Sequence, residues 1–386
     1  MDYLKRAREL REETVANRRW LHRNAEVGLE LPRTVAYVTE KLTEYGLSPQ
    51  ACGHGVTATV GRGDKCILLR ADMDALPMPE ESGLEFACPT GTEAHACGHD
   101  LHAAMLLTAA KMLKENEESL NGQVKFMFQP AEEIFQGARD MMAQGILEGV
   151  DAALGFHVNS GRAPAGYFAY NDSSTMMFSV DGFRITVQGK GAHGAYPHFS
   201  VDPIHIAVHV FLALEGLIAR LADPSRANVL TVGKFQAGTA NNIIPNEAVL
   251  EGTLRCDCPE ERKKLVEALC RVAQDTAALW GGSARVEFVS QVPPLVCDGA
   301  VTKQMAGFLS ELGLAGHNGA SASASEDFAA VLEKVPGAFV YLTAGFADDR
   351  GSAPAHNPKV QFNEDVLPIG AAGFAHCAAR WLEANG

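Results

Sequence analysis

Residues 66–77 read CILLRADMDALP, an apolar run of strand length that ends in a polar loop containing proline. Such a run, too short for a helix and closed by a turn signal, predicts a buried strand. Two further runs of this kind cover residues 124–128 and 151–158, and a helical pattern occupies residues 101–115. Within residues 1–47 the sequence pattern predicts two helices. The alternation of buried strands with helices predicts an α/β sandwich.

The pattern changes over residues 183–290. Its order of strand, helix, strand, strand, helix, strand is that of a split βαβ, ferredoxin-like unit. The six segments lie at residues 183–189, 202–222, 228–236, 248–255, 259–280 and 284–290. The α/β pattern resumes afterwards, so we predict an inserted domain. The expected division is a first domain made of residues 1–182 and 291–386, interrupted by a second domain at residues 183–290.

The composition limits the classes of function. At 386 residues the chain exceeds the usual size of one hydrophobic core, which favours two domains. Its 47 acidic and 33 basic residues give a formal net charge of −14, which repels nucleic acid and anionic membranes. No signal peptide is evident, and nine cysteines without disulfide-scaffold spacing favour a reducing compartment. We therefore expect a cytoplasmic protein without nucleic-acid or membrane partners.

Several side chains with metal-binding donors fall near the ends of the predicted strands or in polar loops. They are Cys97, His99, Glu133, His157 and His356. Taken singly, each has an ordinary alternative, because acidic pairs in turns are commonly solvated and histidines at strand ends are commonly hydrogen-bonded core residues. Their convergence favours a site, since parallel strands bring their carboxyl ends to one edge of a sheet. The set exceeds the three ligands that one catalytic zinc usually takes and suits two ions.

The sequence resembles the dinuclear metal-dependent amidohydrolases of the aminoacylase and glutamate carboxypeptidase superfamily. Within it, the similarity is to the branch of hippurate hydrolases, bacterial N-acyl-amino-acid hydrolases and plant auxin-conjugate hydrolases. The similarity extends from residue 21 to the C-terminal helix. Its motifs are LRADMDALP (69–77), ACGHD (96–100), QPAEE (129–133), GFH (155–157), GKGAHGAYPH (189–198), GTANNIIP (238–245), GTLR (252–255), SEDF (325–328) and HNP (356–358). Ala192 departs from the glycine that the branch often has.

The resemblance implies a role for each matching residue. The residues that would hold two divalent ions are Cys97, His99, Glu133, His157 and His356. Glu132 would be the general acid/base, and Asp74 would orient a metal-bound histidine. In the inserted domain, His193 would bind the scissile carbonyl or its oxyanion, often across a dimer. Asn242 and Arg255 would bind the substrate carboxylate or carbonyl, and His198 is close enough to His193 in sequence to touch the substrate.

The expected function is hydrolysis of the amide bond of N-acyl amino acids by a metal-activated water. The expected fold is a mixed-sheet α/β/α catalytic domain with an inserted ferredoxin-like lid and dimerisation domain, and we expect a homodimer. The ions would be manganese or zinc, with cobalt or nickel also accepted. Two alternatives stay open: a dipeptidase or carboxypeptidase on the same scaffold, and a catalytically idle descendant that only binds a metal or ligand.

A second pair of histidines, His205 and His209, lies four residues apart within the helix predicted at 202–222. A zinc-protease helix also needs a glutamate directly after the first histidine, and Ile206 stands there instead. We therefore expect this pair to pack in the core or at a dimer interface.

Overall fold

The computed structural model describes residues 1–386, and their internal contacts group them into two units. The first unit comprises residues 1–176, 296–321 and 327–386, and the second comprises residues 177–295 and 322–326. The second unit therefore interrupts the first along the chain. The predicted domain boundaries at 182/183 and 290/291 stay predictions.

Helices and strands alternate along most of the chain. The helices are α1 (Tyr3–Glu9), α2 (Arg11–Arg23), α3 (Pro32–Glu44), α4 (His99–Glu115), α5 (Gly137–Ala143), α6 (Pro203–Leu221), α7 (Pro259–Leu279), α8 (Gly299–Glu311), α9 (Ala329–Leu332) and α10 (Leu367–Asn385). The strands are β1 (Gln50–Cys52), β2 (Gly55–Arg62), β3 (Cys66–Asp72), β4 (Gly122–Gln129), β5 (Ala152–Asn159), β6 (Phe168–Tyr170), β7 (Thr175–Met177), β8 (Val180–Gln188), β9 (Ala192–His193), β10 (Asn228–Ala237), β11 (Ile243–Ile244), β12 (Glu247–Cys256), β13 (Ser283–Val292), β14 (Leu295–Val296), β15 (Gly316–Asn318) and β16 (Gly337–Thr343).

Eight strands of the first unit form a mixed sheet in the order β1-β2-β4-β3-β5-β16-β6-β15. β4, β3, β5 and β16 run parallel to one another. β1 and β2 form a hairpin, and β2 pairs antiparallel with β4. The parallel strands end at the same edge, so Asp72, Gln129 and Asn159 come to one side of the sheet.

The core of the first unit explains why its central strands are apolar. All seven residues of β3 are buried. Helix α4 is buried on nearly every side, with Leu101, Met105 and Leu106 fully enclosed. It packs against α2 and α10 as well as against β3, and a helix that is apolar all round is expected where other elements surround it. This packing holds the start of α4, which begins at His99.

One helix prediction is wrong in detail. Residues 1–47 contain three helices rather than two, because α1 ends at Glu9 and α2 begins at Arg11. Leu10 stands between them with φ −89° and ψ 5°, and this ψ departs from the helical value. The mixed-sheet α/β class expected from the sequence is confirmed.

The second unit contains a four-stranded antiparallel sheet in the order β10-β12-β8-β13. Along the chain the strands of this sheet and the two long helices of the unit follow the order β8, α6, β10, β12, α7, β13, with the two-residue strands β9 and β11 between them. The predicted ferredoxin-like order is therefore confirmed. β8 alternates buried Phe183, Ile185 and Val187 with exposed Arg184 and Gln188. One face of this sheet therefore packs in the core and the other is open.

Helix α6 is the one helix of the chain that is long and apolar enough to cross a membrane by length and composition. Its buried residues, among them Ile206, Val210 and Leu214, belong to the core of the second unit. The helix also carries Glu215 and Arg220. Core helices can have the same length and apolar composition, so these two features are weak evidence for a membrane span.

Candidate metal centre

The candidate centre lies at the edge of the first unit's sheet where the parallel strands end. His157 lies in β5, and Glu133 lies in the loop after β4. His99 is the first residue of α4, with Cys97 just before it. His356 comes from the segment before α10. Separate parts of the chain thus supply the five predicted ligands, and the parallel strands bring them to one place.

Gly98 allows Cys97 and His99 to face the same site. Its φ of 96° lies in the left-handed region. A Cβ at this position would overlap the side chain of Val158 and lie 3.3 Å from Phe362. Only glycine adopts this φ and fits this space without strain. The glycine between Cys97 and His99 therefore allows the backbone turn at the start of α4 that directs both ligands to one site.

The five predicted ligands converge. Cys97 Sγ lies 3.4 Å from His157 Nε2 and 3.3 Å from His356 Nε2. Glu133 Oε1 lies 3.5 Å from His356 Nε2 and 3.9 Å from His99 Nε2. Two groups share Cys97: one adds His99 and His157, the other adds Glu133 and His356. The ligand atoms within each group lie within 4.8 Å of one another.

Two atoms of the centre, His99 Nε2 and Glu133 Oε1, are buried without a hydrogen-bond partner. Buried polar atoms in proteins are nearly always paired, so two unpaired atoms at one place indicate a site for a further group. An imidazole lone pair and a carboxylate oxygen are both acceptors, and a cation satisfies them together. The residues therefore fit a divalent ion, and thiolate, imidazole and carboxylate donors suit zinc or manganese.

Burial shifts the protonation of these ligands. It raises the pKa of the Cys97 thiol and of the Glu133 carboxyl, and it lowers the pKa of His157 well below its usual value. For His99, burial is the largest single cause and acts to lower the pKa, but the charges of Asp72 and Cys97 and the hydrogen bond to Asp74 together outweigh it, so the pKa is raised. A divalent ion binds the thiolate and the carboxylate, so its binding would displace protons and weaken in acid.

Asp74 contacts both His99 and the loop that carries Glu132 and Glu133. His99 Nδ1 lies 2.9 Å from the backbone oxygen of Asp74, so in the neutral ring, the form that binds a metal, Nδ1 carries the proton and Nε2 keeps its lone pair. The Asp74 carboxylate accepts hydrogen bonds from the backbone N–H groups of Glu132, at 3.0 Å, and Glu133, at 3.1 Å. Asp74 therefore holds a histidine and the loop of the two neighbouring glutamates.

The two neighbouring glutamates differ in their contacts. Glu132 Oε2 and Glu133 Oε1 each lie 3.9 Å from His99 Nε2. Only Glu133 also approaches His356 and groups with Cys97. Glu132 is buried and stands beside the ligand cluster without joining the two groups that contain Cys97. This position suits proton transfer at a bound substrate.

A buried ionic network next to the ligands was not predicted from the sequence. His102 Nδ1 lies 2.6 Å from Asp72 Oδ1, and His102 Nε2 accepts a hydrogen bond from a backbone N–H of β5 at 2.8 Å. Arg70 donates to Asp72 at 2.6 Å and to Asp327 at 3.1 Å. His102 follows His99 by three positions, so both lie on one face of α4. This spacing is the sequence signal that could have identified His102.

The predicted substrate residues lie in the second unit. His193 is exposed in β9, which pairs with β11. Its Nδ1 accepts a hydrogen bond from the backbone N–H of Ala195 at 3.1 Å, which leaves Nε2 as the proton-bearing nitrogen of the neutral ring. The N–H of Gly194 donates to the backbone oxygen of Asn242 at 2.8 Å, so the loops of His193 and Asn242 adjoin.

Arg255 and His198 have different surroundings. Arg255 is half-buried in β12, and its Nη1 donates to the backbone oxygen of Ser323 at 3.1 Å and to Ser325 Oγ at 3.0 Å. Burial lowers the pKa of this guanidinium. His198 is exposed and its ring centroid lies 4.1 Å from that of Phe199. Arg255 therefore already has two partners within the second unit.

Comparison with known proteins places the chain in a family. The sequence profile of peptidase family M20/M25/M40 matches residues 68–380. The chain belongs to this family. The M20 assignment confirms the family expected from the sequence motifs. Together with the named deacetylase and the dinuclear metal binding peptidase described next, it shows a metal-dependent amidohydrolase.

Three similar proteins match this chain over nearly its whole length. The N-acetyl-L-cysteine deacetylase of Bacillus subtilis is 36% identical over 380 residues, which covers 97% of this chain and 90% of the relative. Thermostable carboxypeptidase 2 of Saccharolobus solfataricus is 35% identical over 383 residues, which covers 97% and 96%. The crystal structure of the YXEP protein of Bacillus subtilis, described as a dinuclear metal binding peptidase, is similar with a TM-score of 0.83 and 31% identity, and covers 97% of this chain and 99% of that chain.

Proposed function

We propose that this M20 enzyme hydrolyses the amide bond of N-acyl amino acids and releases a carboxylic acid and a free amino acid. The observation that carries the proposal is the cluster of five potential metal ligands, with two buried acceptor atoms unpaired, next to the carboxylate of Glu132. One relative is named an N-acetyl-L-cysteine deacetylase, an activity of this class.

In this proposal two divalent ions, manganese or zinc and alternatively cobalt or nickel, are held at the cluster. The ligands are Cys97, His99, Glu133, His157 and His356. Once bound, the ions would polarise the amide carbonyl and lower the pKa of the attacking water. Asp74 keeps His99 in the tautomer that leaves Nε2 for a metal, and it holds the backbone from which Glu133 projects.

Glu132 is proposed as the general acid/base. An amide nitrogen leaves poorly unless it is protonated, so the reaction needs one group that takes a proton from water and delivers a proton to nitrogen. Glu132 is buried beside the cluster, and its Oε2 lies 3.9 Å from His99 Nε2. A carboxylate sheltered from bulk water at this position can serve both transfers.

The inserted unit would contribute the remaining substrate contacts. His193 would donate from Nε2 to the scissile carbonyl oxygen, where negative charge develops in the transition state. Asn242 and Arg255 would bind the substrate carboxylate or carbonyl, and His198 would contact the substrate. Because Nη1 of Arg255 already donates to Ser323 and Ser325, a substrate carboxylate would use the other N–H groups of this guanidinium.

A carboxypeptidase or dipeptidase activity is the second candidate. It is favoured by the relative named thermostable carboxypeptidase 2. Both reactions release an amino acid from an amide bond and need the same ions and proton transfers. They differ in the group on the acyl side of the bond. The third alternative, a catalytically idle descendant, is not carried further, because the chain belongs to a family of hydrolases.

We also propose that the protein is cytoplasmic and forms a homodimer through the second unit. β10 is an edge strand of the four-stranded sheet, and the unpaired backbone groups of such an edge can pair with a second copy across a two-fold axis. Helix α6, which packs against β10, exposes Ile204, Val208 and Leu212. All nine cysteines are free, in agreement with a reducing compartment.

The proposed activity can be tested with a panel of substrates. Purified enzyme is supplied with manganese, zinc, cobalt or nickel and offered acetyl-, benzoyl- and indoleacetyl-amino acids beside dipeptides. Glu132→Gln is the matched control, because it keeps the size of the side chain and removes the proton acceptor. Hydrolysis of the acyl substrates by the parent enzyme and not by the variant supports the proposal. Faster hydrolysis of dipeptides would favour the second candidate, and no hydrolysis of either class would refute both.

A further inference from the structure

Helix α6 of the second unit carries two histidines on one face. His205 and His209 are four residues apart, about one turn, and their ring centroids lie 4.5 Å apart. Of the two placements expected for the pair, core packing is wrong for His205, which is exposed, and His209 is partly exposed. Placement at a dimer interface stays a prediction. Ile206, Ala207 and Val210 form the core face of α6 instead.

Trp280, directly after α7, holds the two imidazole rings. Its ring stacks on His209 with a centroid distance of 5.0 Å, and it meets His205 edge to face at 4.4 Å. The histidine side chains make no hydrogen bond or ion pair within the chain. Asp202, the carboxylate that precedes them on the helix, serves as its N-cap and accepts from Ile204 N at 2.9 Å. The ring nitrogens of the pair are therefore available to a ligand.

We propose that His205 and His209 bind one divalent ion of the late first transition row, with Cu²⁺ bound most strongly. Histidines four residues apart on one helix face are the arrangement that binds zinc in metalloprotease helices. A metal–nitrogen bond of about 2.0 Å lets one ion join two neighbouring rings, with water completing its coordination.

The donor set decides which ions this pair prefers. Two neutral imidazoles without a thiolate or a carboxylate follow the general order of affinity, in which copper exceeds nickel and zinc and manganese is weakest. The pair shares no residue with the ligands proposed for the dinuclear centre. This second metal site therefore stands whether or not the proposed acyl-amino-acid hydrolysis is correct.

Tryptophan fluorescence of the metal-loaded enzyme can report Cu²⁺ binding at this pair. A bound Cu²⁺ ion quenches an indole in contact with its ligands, and Trp280 contacts both histidines. The other two tryptophans belong to the first unit and have different surroundings: Trp20 stacks on Tyr37, and Trp381 is buried in the core. During titration with copper chloride we expect quenching that saturates at one ion per chain, is lost in Trp280→Phe and is absent with manganese chloride.

Substitution of either histidine should remove the chelate. In His205→Ala and in His209→Gln we expect Cu²⁺ affinity to fall by about a hundredfold or more, since joining two ligands on one scaffold raises affinity by at least that factor. His317→Ala removes an exposed histidine of β15 in the first unit and is the matched control, which should bind as the parent does. Circular dichroism checks that each variant is folded.

Electron paramagnetic resonance of the bound Cu²⁺ gives a measurement that does not depend on Trp280. The spectrum of the parent should show two nitrogen donors, and that of His205→Ala should show fewer. The proposal is overturned if His205→Ala quenches and gives the same spectrum as the parent, or if manganese quenches as strongly as copper.

Discussion

Replacing Asp74 with asparagine should weaken the fold and metal binding together, because this carboxylate accepts two buried backbone hydrogen bonds. They come from Glu132 N at 3.0 Å and Glu133 N at 3.1 Å, and Asp74 is only 1% exposed. Asparagine keeps one acceptor oxygen but presents an NH₂ group in place of the other. One backbone N–H then faces a donor, and no bulk water can replace the lost acceptor.

The expected magnitude follows from that single lost bond. A hydrogen bond to a charged acceptor contributes about 1.5–3 kcal/mol, and an unpaired buried donor costs a similar amount that partly overlaps with it. We therefore expect the free energy of unfolding of the metal-free protein to fall by about 2 kcal/mol. Groups that orient metal ligands change metal affinity by about ten- to a hundredfold when they are mutated, so the Kd for zinc should rise by that factor.

Urea unfolding of the metal-free protein and calorimetric titration with zinc measure the two effects. Asp298→Asn is the matched control, because Asp298 also accepts from two backbone N–H groups, those of Ala300 and Val301, but at the exposed start of α8. Asparagine caps a helix about as well as aspartate there. If Asp74→Asn unfolds and binds zinc as Asp298→Asn does, the Asp74 carboxylate does not hold the glutamate loop and this reasoning is refuted.

Three further predictions concern the ligands and the general acid/base. Glu132→Gln should keep its metals while kcat falls by about 10²–10⁴-fold, whereas Glu133→Ala should lose metal on dialysis. Elemental analysis and kinetics of both variants check this. Loss of metal in Glu132→Gln but not in Glu133→Ala would exchange the two roles. Cys97 should resist iodoacetamide while metals are bound and react after chelation, and equal labelling by peptide mass spectrometry would contradict a metal-bound thiolate. Zinc affinity should fall as the pH is lowered, because the raised pKa values of Cys97 and Glu133 let protons compete with the ion; an affinity independent of pH in calorimetry would exclude these ligands.

The strands of the first unit that could be predicted are the central ones, which are largely buried. β3 is apolar almost throughout because all of its residues are buried, and such a run is a strong signal. The hairpin β1–β2 was not predicted. β2 places buried Val56, Ala58 and Val60 between the partly or fully exposed Thr57 and Thr59, and β1 is only three residues long. Short and half-exposed strands give weaker patterns than central ones.

From the sequence, only those residues of the candidate site could be predicted whose side chains are recognisable metal ligands or belong to a recognised motif. Arg70 is a charge within an apolar run, and a buried charge must be paired. One partner, Asp72, is two residues away, but the other, Asp327, is 257 residues away. No local pattern connects residues so distant in sequence. The ionic network therefore needed the folded chain, although the burial of Arg70 could have been inferred from the run itself.

Two histidine pairs at one-turn spacing show why spacing alone does not decide chemistry. In the pair His99 and His102, three ring nitrogens are engaged: His99 Nδ1 faces the Asp74 carbonyl, His102 Nδ1 faces Asp72, and His102 Nε2 accepts from a backbone N–H of β5. Only His99 Nε2 is open, so this pair offers one nitrogen to a metal and depends on other segments for further ligands.

In the pair His205 and His209, no ring nitrogen is engaged by the chain. This pair can offer two nitrogens to one ion, but the protein supplies it with no thiolate or carboxylate donor. The hydrogen bonds that the ring nitrogens already make within the chain therefore determine how many metal ligands a histidine pair provides. The donors around the pair determine which ion it prefers.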